Sequence, residues 1–123
     1  MSKLIFIVDD SATMLMSICA SLEMNGFRVE SASDGVQALD RLNGLKPDLI
    51  ITDINMPRMG GMDLIKALRA LPAFRFTPIL TLTTESESSK RDEAKRLGAT
   101  GWLVKPVPAA DLVRVIKQVV PGA

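Results

Sequence analysis

The sequence contains no histidine and no tyrosine, and it has one cysteine and one tryptophan. Without histidine, the chain cannot use an imidazole as general base, metal ligand or phosphate carrier. The single Cys19 rules out an internal disulfide and a cysteine-rich zinc site, and its position in the apolar stripe of a predicted helix indicates a core residue in a reducing compartment. The chemistry of this chain must therefore come from carboxylates, hydroxyls and amines.

Charge bias and long apolar runs are missing too. The 15 Lys and Arg residues and the 14 Asp and Glu residues are interleaved, for a net charge of +1. No strong field therefore draws the chain to nucleic acid or to an anionic membrane. No apolar run reaches the ~18 residues of a membrane span, and no signal-peptide profile precedes Leu4. We expect a cytoplasmic protein without nucleic-acid or membrane partners.

Short apolar runs alternate with amphipathic runs along the chain. The strand-like runs are Leu4–Val8, Phe27–Ser31, Leu49–Thr52, Pro78–Thr83 and Gly101–Val104. The helical patterns are Ala12–Asn25, Asp34–Asn43 (carrying Val36, Leu39 and Leu42), Met62–Ala70, Ser86–Arg96 and a last helix with Pro108 in its first turn. Because parallel strands need crossover connections, this order predicts an α/β fold with a parallel sheet covered by helices on both faces. The 123 residues, 47% of them hydrophobic, fit a single domain spanning 1–123 without an output domain.

The fourth helical pattern has the least apolar surface. From Ser86 to Arg96 its only apolar residue is Ala94, although Thr84 and Glu87 can form an N-terminal capping box. Little packing energy is expected to hold this helix. It is either a plain surface helix or an element that shifts during function.

Charged residues stand at the carboxyl ends of three predicted strands. Asp9 and Asp10 follow the first strand, Asp53 follows the third and Lys105 follows the last. Because the carboxyl ends of parallel strands meet at one edge of a sheet, these residues predict one acidic pocket. Clustered carboxylates repel one another unless a cation neutralises them, and a ligand set of oxygen atoms alone favours Mg²⁺.

Some residues at these strand ends also have a simpler explanation. Asp9 or Asp10 could cap the first helix, and Thr83, at the end of the fourth strand, could be an ordinary strand former. Next to the carboxylates, however, Lys105 would supply compensating charge and Thr83 a hydroxyl donor. The combination predicts a site for Mg²⁺ and a phosphoryl group.

Four segments, Val8–Ser11, Thr52–Pro57, Leu82–Thr83 and Val104–Pro106, occur in an order that resembles the receiver domain of bacterial two-component response regulators. The resemblance covers the whole chain and is closest to the stand-alone chemotaxis type. It implies a flavodoxin-like, doubly wound sheet of five parallel strands in the order 2-1-3-4-5 with five helices. It also implies a monomer or weak dimer whose partners are a histidine kinase, or a phosphotransfer protein, and a downstream target protein.

The resemblance assigns the metal and phosphoryl chemistry to particular residues. Asp53 would be the phosphoacceptor, and Asp10, Asp53 and the backbone carbonyl of Asn55 would bind Mg²⁺, with Asp9 holding the metal through water. The chain would not be an enzyme acting on other molecules. It would assist its own phosphorylation and dephosphorylation.

The resemblance also names the groups that sense the phosphoryl group. Thr83 and Lys105 would contact its oxygens, and the Lys105–Pro106 bond would be cis. Thr83 would act as a switch together with the aromatic position of the fifth strand, which is commonly Tyr or Phe and is here the bulkier Trp102. The output would be a changed surface on the fourth helix, fifth strand and fifth helix.

Two other functions remain open. A haloacid-dehalogenase-like phosphatase also uses a strand-end aspartate with Mg²⁺, but it expects Asp-x-Asp where this chain has Asp9, Asp10 and Ser11. An unphosphorylated adaptor or an FMN-binding protein could share the architecture, since a fold alone does not set function. An adaptor is expected to have lost acidic residues, and the strand-end loops lack the Ser/Thr/Gly-rich cradle that an FMN phosphate needs.

Overall fold

The computed structural model describes residues 2–84 and 88–123. Strands and helices alternate along these residues as predicted. The strands are β1 (Leu4–Val8), β2 (Arg28–Ala32), β3 (Leu49–Asp53), β4 (Ile79–Thr83) and β5 (Gly101–Val104). The helices are α1 (Ala12–Met24), α2 (Gly35–Leu42), α3 (Gly61–Ala70), α4 (Ser88–Leu97) and α5 (Ala109–Val119), with a short 3₁₀ helix at Pro72–Phe74.

The five strands form one parallel sheet in the order β2-β1-β3-β4-β5. This confirms the predicted doubly wound architecture. Strands β1, β3 and β4 are buried along their whole length because helices cover both faces of the sheet. Strand β2 lies at an edge and alternates exposed with covered residues, which explains its charged side chains.

Alternate side chains of each inner strand point to opposite faces of the sheet and pack into two separate cores. One core packs α1 and α5 against side chains such as Ile7 and Ile51, and the other packs α2, α3 and α4 against side chains such as Phe6 and Ile50. The period-two alternation of strand side chains produces this division. Helix α4 contributes Ala94 as its buried residue, so the expected weak anchoring is confirmed.

Several predicted helix ends move by a residue or two. Asp34 caps α2 and Asn43 ends it, so neither belongs to the helix itself. Pro108 is the N-cap of α5 rather than a residue of its first turn. A cap residue keeps non-helical backbone angles while its neighbour begins the helix, which a side-chain pattern does not distinguish.

Two predictions about buried helix positions need correction. Val36 is 42% exposed, because Ala38 takes the position on α2 that faces the sheet. Cys19 is half-buried rather than enclosed, and burial raises the pKa of its thiol.

The predicted capping box of the fourth helix depends on Glu87, which lies outside the described residues. Among the helices of residues 2–84 and 88–123, none has both the length and the apolar character that a membrane span requires.

Candidate functional site

The charged residues predicted from the strand ends lie together at the carboxyl edge of the sheet. One carboxylate oxygen from each of Asp9, Asp10 and Asp53 lies within 4.8 Å of the other two. Asp9 and Asp53 are buried, whereas Asp10 is exposed. The edge arises because β1 and β3 are adjacent parallel strands that end at the same level.

Lys105 supplies the positive charge of this cluster. Its Nζ lies 3.1 Å from Asp53 Oδ2 and 3.5 Å from Asp9 Oδ2. The Lys105 backbone N–H donates to the Thr83 carbonyl at 2.7 Å, which fixes the residue at the end of β5. Burial lowers the pKa of Lys105, but the carboxylates of Asp53 and Asp9 outweigh it and raise that pKa. The side chain is therefore a cation at neutral pH. The Lys105–Pro106 bond is cis, as predicted.

The two oxygens of Asp53 have different partners. Oδ1 accepts the backbone N–H of Ile54 at 2.8 Å, while Oδ2 faces Lys105. Burial raises the pKa of this carboxyl, Lys105 lowers it and Asp9 raises it, and the net direction is upward. A buried carboxylate beside a second carboxylate is stabilised by additional positive charge.

Asp9 leaves one oxygen for a further ligand. Its Oδ1 accepts the Ser11 backbone N–H at 2.9 Å. Its Oδ2 is buried and has no hydrogen-bond partner among the described residues, since the 3.5 Å separation from Lys105 is an ion pair outside hydrogen-bond distance. Neither Asp9 nor Asp10 caps α1; the Ser11 side chain does so by accepting the Met14 N–H at 3.3 Å.

These observations fit Mg²⁺. The cluster offers three carboxylates and no nitrogen or sulfur donor, which is the oxygen ligation that this ion prefers. The Asp9 oxygen without a hydrogen-bond partner faces Lys105 at 3.5 Å, and a second cation beside it would compensate its charge further.

Thr83 lies at the predicted edge with its hydroxyl turned to the neighbouring strand. The residue is fully buried and its Oγ1 donates to the Leu103 carbonyl of β5 at 3.3 Å. Contact with a phosphoryl oxygen would require this hydroxyl to change partner. Thr83 thus connects the end of β4 to the backbone of β5 in the present conformation.

Asn55 follows Asp53 in the loop that joins β3 to α3. The side chain is exposed, and its Oδ1 accepts a hydrogen bond from Lys90 Nζ of α4 at 2.9 Å. Lys90 gives no signal of this role in the sequence, because a lysine on a polar helical face does not indicate a specific partner. This contact directly links the loop beside Asp53 to the weakly anchored helix.

Trp102 lies on the outer part of the sheet beside α4. Its side chain is 46% exposed, and the guanidinium carbon of Arg91 lies 5.4 Å from the centre of its ring. This distance is within the range of a cation–π contact. The Trp102 ring therefore faces outward, and the guanidinium of Arg91 on α4 covers part of it.

A doubly wound parallel sheet with three carboxylates and a lysine at its carboxyl edge defines a class of α/β domain equipped to bind a cation and an anionic group. A family model for the response regulator receiver domain matches residues 5–117. The chain belongs to this family and is a receiver domain of two-component systems.

Similar proteins of known identity agree with this assignment. The chemotaxis response regulator CheY4 of Vibrio cholerae is 40% identical, with a TM-score of 0.92, over 98% of this chain and 100% of that one. The receiver domain of sensor histidine kinase PA1611 from Pseudomonas aeruginosa, whose structure has a magnesium ion in the active site cleft, is 28% identical with a TM-score of 0.89 over 97% of this chain and 98% of that one. The transcriptional regulatory protein PrrA of Mycobacterium leprae is 36% identical over 94% of this chain. The chain spans 49% of PrrA, about half the length of the curated relatives it matches.

Proposed function

We propose that this chain is a response regulator whose Asp53 accepts a phosphoryl group from the phosphohistidine of a partner kinase or phosphotransfer protein in a Mg²⁺-dependent reaction. The observation that carries the proposal is the placement of Asp53 Oδ2 3.1 Å from Lys105 Nζ within the three-carboxylate cluster. A carboxylate oxygen of Asp53 attacks phosphorus, the new O–P bond forms, and the P–N bond to the imidazole breaks. The imidazole leaves with the bonding pair and takes up a proton.

The chain itself positions the acceptor and supplies charge. Asp9, Asp10, Asp53 and the Asn55 backbone carbonyl would hold Mg²⁺, which when bound supplies positive charge next to the transferring oxygens. Lys105 supplies a second positive charge at the same edge. Since phosphoryl transfer depends mainly on alignment and electrostatics, fixed positions at the strand ends are the main catalytic contribution of the protein.

The phosphoryl group would act as a switch through Thr83. Its added negative charge offers the Thr83 hydroxyl a stronger acceptor than the Leu103 carbonyl. A Thr83 hydroxyl that changes partner would favour a second arrangement of α4. The altered surface of α4, β5 and α5 would then control a downstream target protein.

The similarity to CheY4 over 98% of this chain supports a chemotaxis-type regulator. The part of PrrA that this chain matches is 49% of that protein, so the transcriptional role in the name of PrrA is not carried over to this chain. We place the protein in the cytoplasm, as a monomer or weak dimer. The free Cys19 is compatible with a reducing compartment.

An unphosphorylated adaptor is the main alternative. The complete carboxylate cluster and the Lys105 ion pair favour phosphorylation, because an adaptor would have no need for three mutually repelling carboxylates. A haloacid-dehalogenase-like phosphatase is disfavoured by the match to the receiver family over residues 5–117.

The decisive experiment uses phosphoimidazole, a small phosphodonor that mimics phosphohistidine, with and without Mg²⁺. Intact-mass spectrometry should show one added phosphoryl group only when Mg²⁺ is present, and mapping should place it on Asp53. Asp53→Asn should abolish the modification, because an amide is a poor nucleophile. The matched control is Asp40→Asn, at an exposed position on α2, which should be modified normally. Modification of Asp9 or Asp10, or none at all, would refute the proposal.

A further inference from the structure

Arg58 has an unusual backbone conformation in the loop after Asp53. Its φ angle is +64°, and among the described residues it is the one non-glycine residue with a positive φ. This left-handed region is disfavoured for residues that carry a Cβ and is usually occupied by Gly, Asn or Asp. An arginine there needs a specific stabilising contact.

The contact is an ion pair with Asp34. Arg58 donates through Nε at 2.9 Å and through Nη2 at 2.7 Å, both to Asp34 Oδ2. The Asp34 side chain is buried, whereas that of Arg58 is 60% exposed. Asp34 Oδ1 accepts the Gln37 N–H at 2.9 Å and so caps α2. The pKa of Asp34 is lowered, first by this backbone N–H and then by Arg58.

The neighbouring residues tie the same two segments together. The Gly35 N–H donates to the Met59 carbonyl at 2.9 Å. A Cβ on Gly35 would collide with Met59, so the backbones approach as closely as glycine permits. The loop after β3 is therefore fastened to the start of α2 at two consecutive positions, Arg58 and Met59.

The base of the loop is fastened independently. The Gly61 N–H donates to the Ile54 carbonyl at 2.8 Å, and Gly61 lies against the Asp53 carbonyl with no room for a Cβ. Asn55 lies in the short segment between these two anchors, and the turn at Arg58 belongs to the same segment.

We propose that the Asp34–Arg58 ion pair is a positioning element for the metal site: it holds the left-handed turn at Arg58 and thereby directs the Asn55 backbone carbonyl toward the cation. The inference rests on the proposed function, since it presupposes Mg²⁺ binding at the carboxylate cluster. Neither member of the pair belongs to that cluster. Their effect on the cation is exerted through the loop backbone.

The test compares Mg²⁺ affinity with stability of the metal-free protein. Arg58→Ala and Asp34→Asn should each raise the Kd for Mg²⁺, measured by titration calorimetry, with Arg58→Ala giving about a tenfold increase, as is typical when residues that orient ligands are lost. Asn is a good N-cap, so Asp34→Asn keeps α2 capped while removing the charge. Since the two residues act as a unit, the double variant should bind Mg²⁺ no more weakly than Arg58→Ala alone. Arg75→Ala, at another exposed arginine, should match the wild type.

Melting curves in chelator separate this effect from loss of structure. Asp34→Asn should lower the Tm only modestly, because the α2 cap is kept, and the folded variant should still bind Mg²⁺ more weakly than the wild type; equal affinity in all variants would overturn the inference. Arg58→Gly should recover much of the affinity that Arg58→Ala loses, because glycine adopts the turn without the ion pair, and an equal loss in both variants would overturn the inference too. A wild-type protein that binds no Mg²⁺ would instead refute the proposed function on which the inference rests.

Discussion

Lys105 and Asp53 form an ion pair of 3.1 Å although their strands, β5 and β3, are separated by β4 in the sheet. The lysine side chain therefore crosses the end of β4, where Thr83 lies. Its charge partly compensates Asp53 and Asp9 in the metal-free protein. The net upward direction of the Asp53 pKa shows that this compensation is incomplete.

The incomplete compensation predicts that Asp53→Asn stabilises the metal-free protein at neutral pH. The carboxyl has a folded-state pKa above its ordinary value of 3.8, chiefly because of burial, so its ionisation costs more in the folded state than in the unfolded chain. The stability that its protonated form contributes is complete below the unfolded pKa and is lost as pH rises through the folded pKa. Urea unfolding in chelator, repeated from acid to neutral pH, measures the difference.

The advantage of Asp53→Asn should vanish at acid pH, where both side chains are neutral. The lowered pKa of Asp34 has the opposite effect on stability as pH falls, but it is common to both proteins and cancels in the comparison. Asp92→Asn, at an exposed position on α4, is the control and should show no such trend. A variant less stable than the wild type at neutral pH would mean that Lys105 fully compensates the cluster.

We predict that replacement by valine has opposite effects on stability at two neighbouring threonines. Thr52 and Thr81 are paired across β3 and β4, and both are fully buried. Thr52 Oγ1 donates to the Asp53 carbonyl at 2.9 Å, whereas Thr81 Oγ1 has no hydrogen-bond partner among the described residues. Thr81→Val should raise the free energy of unfolding by about 1 kcal/mol, and Thr52→Val should lower it by a similar amount.

Urea unfolding of both variants under identical conditions makes this a matched comparison, because the volume and shape of the substituted residue change equally. Stabilisation by both substitutions would show that strand propensity dominates. Destabilisation by both would show that the Thr81 hydroxyl has a partner, such as a buried water.

The architecture was predictable because several independent signals agree. Continuous apolar strands, amphipathic crossovers and charged residues at strand ends each indicate a buried parallel sheet with a site at its carboxyl edge. Asp9, Asp53 and Lys105 could be placed together for this reason. The alternation of strands and helices predicts a parallel sheet whose strand ends share one edge, whereas the strand order is implied by the resemblance to receiver domains.

Other features depend on contacts that no local pattern encodes. The left-handed Arg58 contradicts its own backbone preference and is explained only by Asp34, 24 residues away. The contact of Lys90 with Asn55 joins a partly exposed lysine to an exposed asparagine. The hydroxyl direction of Thr83 and the outward position of Trp102 reflect how α4 and β5 pack in one conformation, which a sequence pattern does not specify.

Asp10 should be needed for the metal but not for the fold. It is exposed, and no described core contact depends on it, so Asp10→Asn should leave the Tm in chelator nearly unchanged while it weakens Mg²⁺ binding. Ile51→Ala, in the fully buried centre of β3, should cost about 2–5 kcal/mol because it leaves a cavity. Thermal melts with and without Mg²⁺ separate the two effects. An Asp10 variant as unstable as the Ile51 variant would make this aspartate structural.

Trp102 should report activation through its fluorescence. It is the only tryptophan, no tyrosine contributes emission, and its half-exposed ring is covered by Arg91 of α4. Thr83 is hydrogen-bonded to the carbonyl of Leu103, the residue after Trp102, so a Thr83 hydroxyl that changes partner releases the β5 backbone next to the ring. We expect beryllofluoride with Mg²⁺, a stable phosphoryl mimic, to shift the emission.

Three variants identify the route of that shift. Asp53→Asn should give none, since the mimic needs the carboxylate. Thr83→Ala should give little, because the connection to Leu103 is lost. Arg91→Ala should change the starting spectrum but keep a response, because the cation–π contact covers the ring without linking it to the site. An unchanged wild-type spectrum would remove Trp102 from the switch, and a full shift in Thr83→Ala would keep Trp102 but exclude the hydroxyl as its connection to Asp53.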